Sequence, residues 1–166
     1  DEMDPGAEEV HGFSLEKLYE LSEGMEFLDQ LQDFMKDFFD ADFVIGHNVQ
    51  FDIKFLKHEL NSLYEVGMID ETWEPKNSFC TMAYYKNICN IPAPRGNGIK
   101  NPKLSEVIGF LNISQDKIAT KANELFQGSG NYHDARFDTA AAYLLVIEGI
   151  KQKYIKPGFF SEQLKK

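Results

Sequence analysis

Two short stretches hold the residues of this chain whose types and spacing suit chemistry. One is His133-Asp134-Ala135-Arg136-Phe137-Asp138, at the head of the apolar segment 139–150. Phe137, Ala141 and Leu144, with Ala140 and Ile147 alongside, recur at three- and four-residue spacing, which predicts a helix beginning here. Asp134 stands at its N-cap, where a carboxylate accepts the free backbone N–H groups of the first turn. Asp138 lies one turn further along the same face. His133 precedes the cap on the incoming loop, so its ring can swing toward whatever Asp138 faces. An imidazole on a loop beside a rigidly mounted carboxylate suits a general base next to a metal ligand. A capped helix with a surface histidine is the plain alternative.

The other stretch is Phe43-Val44-Ile45-Gly46-His47-Asn48-Val49-Gln50-Phe51-Asp52. Its apolar opening, bounded by acids before and by Gly, His and Asn after, predicts a buried strand. Ile53, Phe55, Leu56, Leu60 and Leu63 then predict an amphipathic helix, with Asp52 on its first turn. Active sites of open α/β folds collect at such carboxyl ends of strands. An acid in a first turn also complements the helix dipole without any further role. Gly46, His47 and Asn48 are small or polar groups that a simple connection would not need.

The elements that must position these residues follow from the rest of the chain. Its 166 residues suffice for one domain with a real core, and fourteen Phe and seven Tyr argue for a globular chain rather than a disordered one. No apolar run reaches membrane-spanning length, and the N-terminus is acidic where a signal peptide would be basic, so a cytoplasmic chain without membrane contact is expected. Cys80 and Cys89 lack companion cysteines and are expected to be free buried thiols. The net charge of -10 is unevenly spread. Residues 1–42 hold fourteen acids against Lys17 and Lys36, a net of -12, whereas the remainder is at +2 and tolerates a polyanion.

Residues 1–10 are polar and expected to be disordered. Ser14 offers a partial cap for a short helix over Leu15 to Leu21. Phe27, Leu28, Leu31, Phe34, Met35, Phe38 and Phe39 predict a strong amphipathic helix whose aromatic stripe belongs to the core. Residues 65–76 read as a polar connection. Ser78 to Met82 reads as a second short strand, followed by a helix from Ala83 to about Cys89. Leu104 to near Asn112 and Asp116 to Phe126 read as further helices. Gly128-Ser129-Gly130-Asn131 is a flexible lead-in to His133, and residues 151–166 read as a fraying end. The loop 91–103 carries Arg95, Lys100 and Lys103 with no acid, and its Pro, Gly and Asn content predicts mobility and exposure. A solvated loop and a phosphate-tracking loop are both open readings.

Taken together, the two stretches resemble motifs of the DEDDh exonucleases, the family of the proofreading subunit of bacterial DNA polymerase III and of ribonuclease T. "FVIGHNVQFDIKFL" resembles the family's second motif, and "HDARFDTAAAYLL" its third. "VHGFS" resembles its His-Gly-Ile-Thr segment, and "FCTMAYYK" its second strand-helix connection, with Cys80 where an Asp is common. The resemblance implies an α/β, RNase H-like fold and metal-dependent 3′-to-5′ hydrolysis of phosphodiester bonds at single-stranded DNA or RNA ends. Two divalent ions, Mg²⁺ or Mn²⁺, serve the family, because hard oxygen ligands favour them. By motif match, Asp52 and Asp138 are metal ligands, Asp52 directly or through water. His133 is the base that deprotonates the attacking water, and Asn48 and Phe51 contact the terminal nucleotide.

The family's first motif, Asp-x-Glu on an apolar strand, has no counterpart. Asp1, Glu2 and Asp4 stand in the wrong order, with Pro5 and Gly6 after them. The expectation is therefore a single exonuclease domain over 1–166, N-terminally truncated and short of its first strands. Its partners would be a nucleic-acid 3′ end and either a polymerase, as in DNA replication, or the missing N-terminal segment. The rivals are a catalytically dead relative that binds nucleic acid or protein, and an α-rich interaction domain in which the motifs are coincidence.

Overall fold

The computed structural model describes residues 12–126 and 134–165. His133, residues 1–10, His11 and the 128–131 lead-in, for which expectations were set above, lie outside the described residues. Ser14 starts helix α1 (Leu15–Leu21), its hydroxyl accepting the Lys17 N–H at 3.2 Å. The stripe beginning at Phe27 does not form one continuous helix. A 3-10 turn (Phe27–Gln30), tightened by the Asp29 carboxylate on the Glu26 N–H at 2.7 Å, leads into α2 (Leu31–Asp40).

Strand β1 (Val44–Gly46), helix α3 (Val49–Glu65) and strand β2 (Ser78–Cys80) form a parallel β-α-β unit in the register Val44↔Ser78, Ile45↔Phe79, Gly46↔Cys80. Parallel strands need such a crossover, and a helix supplies it. Helices α4 (Thr81–Cys89), α5 (Leu104–Phe110), α6 (Gln115–Phe126), α7 (Ala135–Lys151) and α8 (Phe159–Gln163) follow. The described chain is thus α/β and helix-rich. Among the described residues no helix is long and apolar enough to cross a membrane.

Helix α7 is the axis of the larger core. Its Ala140, Ala141 and Leu145 are fully buried, and α4, α5 and α6 pack on it through Tyr85, Val107 and Ile118. The Tyr85 hydroxyl donates to the Leu145 carbonyl at 2.9 Å, directly over Gly149, where a Cβ would collide with it. Burial pushes the Tyr85 phenol well above its ordinary pKa, so it stays a neutral donor.

A second cluster joins α2 to α3 through Leu31, Val49, Ile53 and Leu60. The connection 66–77, polar by composition, is anchored here. Ile69 and Trp73 are buried, and Trp73, Lys76 and Asn77 donate side-chain N–H groups to the carbonyls of Phe38, Asp40 and Asp42 at 3.1, 3.0 and 3.0 Å. These donors satisfy backbone oxygens that the end of α2 leaves open.

Three further expectations need correction. Strand β1 is not buried: Ile45 is exposed, and Val44 and Gly46 are half-buried. The C-terminal stretch does not fray: Ile155 is fully buried, and Phe159 and Phe160 set their rings 5.4 and 5.1 Å from Phe79, against the sheet. Loop 91–103 is not a loose segment either. Ala93 N–H donates to Gly98 O and Lys100 N–H to Ile91 O, at 2.8 and 2.9 Å, which makes a small hairpin bridged at Pro92 and Ile99. Cys80 and Cys89 are free, as expected, but half-buried.

Candidate active site at the carboxyl end of β1

The site is built where β1 runs into α3. Asn48 adopts the left-handed conformation, φ +74°, which lets the chain turn sharply from strand to helix. Asn tolerates this region better than most residues, since its short polar side chain bonds locally. The turn sets Asp52 in the first helical turn with its carboxylate against the strand end: a Cβ added at Gly46 would lie 3.4 Å from Asp52 Oδ2. The tighter neighbour of such a Cβ is the Val49 side chain, at 3.2 Å, so glycine at position 46 chiefly keeps room for Val49. Burial raises the Asp52 pKa, opposed in part by the bond from its own backbone N–H.

Beside Gly46, His47 ties three junctions together. Its Nε2 lies 2.9 Å from the Pro102 carbonyl and its Nδ1 3.0 Å from the Thr81 hydroxyl, which in turn lies 3.1 Å from Gly46 O. Pro102 O accepts only from a protonated Nε2, so the neutral ring is the Nε2–H tautomer. Nδ1 then accepts the Thr81 proton. In the charged ring Nδ1–H donates instead, and the Thr81 proton turns to Gly46 O. Burial favours the neutral form and lowers the His47 pKa; the Pro102 bond and the negative charge of Asp138 act the other way. Helix α7, which carries Asp138, packs against β1.

On α7 the cap expected at Asp134 is present. Asp134 caps the helix, accepting the Arg136 N–H at 2.9 Å and the Arg136 side chain at 3.0 and 2.7 Å. The guanidinium holds this carboxyl below the usual carboxylate range. Asp138, a turn later, has its Oδ1 buried. Asp52 thus lies against Gly46 beside His47, and Asp138 stands on the helix that packs against the same strand. Asn48 and Phe51 stand on the exposed rim, Phe51 with its ring 4.8 Å from that of Phe55.

Sequence reasoning flagged Gly46-His47-Asn48 as unusual but gave His47 no partner. Its partners lie 34 and 55 residues away, beyond any local pattern. Among the described residues no group of three or more His, Cys, Asp or Glu is gathered closely enough to hold a metal ion. The two candidate carboxylates have the hard-oxygen chemistry that Mg²⁺ or Mn²⁺ prefers.

The fold and these side chains together define a class: an α/β chain with an acid, Asp52, at the carboxyl end of a parallel strand. No family model, curated protein or solved structure matches the chain.

Proposed function

We propose that this chain is a DEDDh-type, RNase H-like exonuclease domain that removes nucleotides from single-stranded 3′ ends. The observation that carries the reading is that Asp52 lies against Gly46 at the carboxyl end of β1, while α7, which bears Asp138 more than eighty residues on, packs against the same strand. In this reading Asp52 and Asp138 hold Mg²⁺ or Mn²⁺. Such ions would neutralise charge developing on the phosphoryl oxygens and make water nucleophilic at neutral pH. His133 takes the proton from that water, and Asn48 and Phe51 seat the terminal nucleotide, the ring by stacking on its base.

Among the described residues the edge of β1 away from β2 carries no strand, and there a further strand would complete the site. Val44 N–H bonds to Asn77 O, which turns the Ile45 N–H and C=O away from β2. A depression of about 180 Å³, lined by Phe38, Ala41, Phe43, Val44 and Ile45 with Asp37, runs beside it. A carboxylate-bearing strand added here would supply the ligands of the family's first motif. The second reading is a catalytically inactive relative that binds nucleic acid or protein.

The test is a labelled single-stranded oligonucleotide incubated with the protein and Mg²⁺ or Mn²⁺. Trimming from the 3′ end that disappears in Asp138→Ala is expected. Binding with no metal-dependent trimming would replace the exonuclease by its inactive relative, and trimming that survives Asp138→Ala would remove this site from the chemistry.

A further inference from the structure

We infer that the hairpin 91–100 is the contact for the phosphate backbone of a single-stranded nucleic acid, aimed from the strand end by His47. This rests on the nucleic-acid reading above and adds to it where the strand runs.

The sequence offers three cations in this loop, and the structure divides them. Lys100 is half-buried and paired with Glu106, whose other oxygen accepts the Lys103 N–H at 2.7 Å. Lys100 therefore closes the base of the hairpin. Arg95 sits at the tip, in Pro94-Arg95-Gly96-Asn97, exposed and in no ion pair among the described residues. Gly96, at φ +82°, and the two prolines shape that tip, and the pair of cross-strand bonds keeps it from collapsing. A guanidinium held out on a stiff turn suits a phosphate, which its planar fork meets with two hydrogen bonds.

The hairpin is also fixed relative to the site. Its base at Ile99 is three residues, about 10 Å of extended chain, from Pro102. Pro102 is fully buried, and its carbonyl accepts from the His47 ring beside Gly46. The same imidazole thus joins the strand end that faces Asp52 and the base of the cationic hairpin. The acidic limb 15–42, by contrast, would repel a polyanion. Together these features direct a strand along the hairpin side of the site.

The experiment measures binding of a fluorescein-labelled oligothymidylate, its 3′ end blocked by phosphorothioates, across a salt series. Arg95→Ala should weaken binding and flatten the slope of log K against log salt by about 0.7, the loss of one single-strand phosphate contact. His47→Gln should flatten the slope similarly. The two changes together should do no more than either alone, because both remove the same contact. A substitution that merely loosened the fold would lower the melting temperature without changing the slope. Wild-type binding with an unchanged slope in Arg95→Ala overturns the hairpin contact alone. Additive effects of His47→Gln and Arg95→Ala overturn the aiming. No binding by the wild-type protein overturns the nucleic-acid reading and this inference with it.

Discussion

Helices α3 and α7 are the same length, 17 residues, and each carries a candidate carboxylate in its first turn, yet they are differently held. Helix α7 buries eight residues and is apolar nearly all round, because three other helices pack on it. Helix α3 buries three, along one face, and leaves Phe51 and Phe55 exposed on the other. The starts differ too. Asp134 caps α7 and is itself held by Arg136, whereas no side chain caps α3, which starts from the left-handed Asn48. Asp138 therefore projects from a fixed beam, and Asp52 from a surface helix whose position depends on the Gly46-His47-Asn48 turn. A site that joins such helices has one rigid wall and one that substrate contacts can adjust.

The difference predicts a ranked series of effects. Leu145→Ala, in the fully buried face of α7, should destabilise by about 2–5 kcal/mol, since the packed helices around it close only part of the cavity. Denaturant unfolding reads this directly, and a cost under 1 kcal/mol would mean that α7 is not the axis of the core. Asp134→Ala should cost about 1 kcal/mol through the lost cap. An unchanged melting temperature would show that Arg136 and Asp134 do not hold the start of the helix.

Asp52→Asn should act in the opposite sense. Burial raises the folded pKa of Asp52 above its unfolded value, so the folded chain binds the proton more tightly. Stability from this group is then lost as pH rises from the ordinary carboxylate range through the raised folded pKa. The Asn variant should melt above wild type at neutral pH, and the gap should close in acid. Mn²⁺ should raise the melting temperature of wild type more than that of the variant. A variant less stable than wild type at neutral pH would make Asp52 a structural acid.

Much of this was legible in the chain itself. Helical spacing located α3, α6 and α7 closely, because their apolar positions repeat over several turns and Asp134 marks a start. Short apolar runs located both strands. The stretches holding Trp73 and Phe159 were misjudged for one physical reason: each is too short or too polar to show a period, and Trp73 is buried, and Phe159 partly buried, by partners distant in sequence.

The amino-acid sequence by itself determined which acids stand one turn into a helix, and that Asp134 would cap, since both follow from local spacing and backbone hydrogen bonding. Only the tertiary structure decided that Asp52 lies against Gly46 with α7 packed on the same strand, that His47 joins the strand end to Pro102, and that Lys100 is paired internally while Arg95 is exposed. Those outcomes depend on long-range packing, which places side chains together irrespective of their separation along the chain.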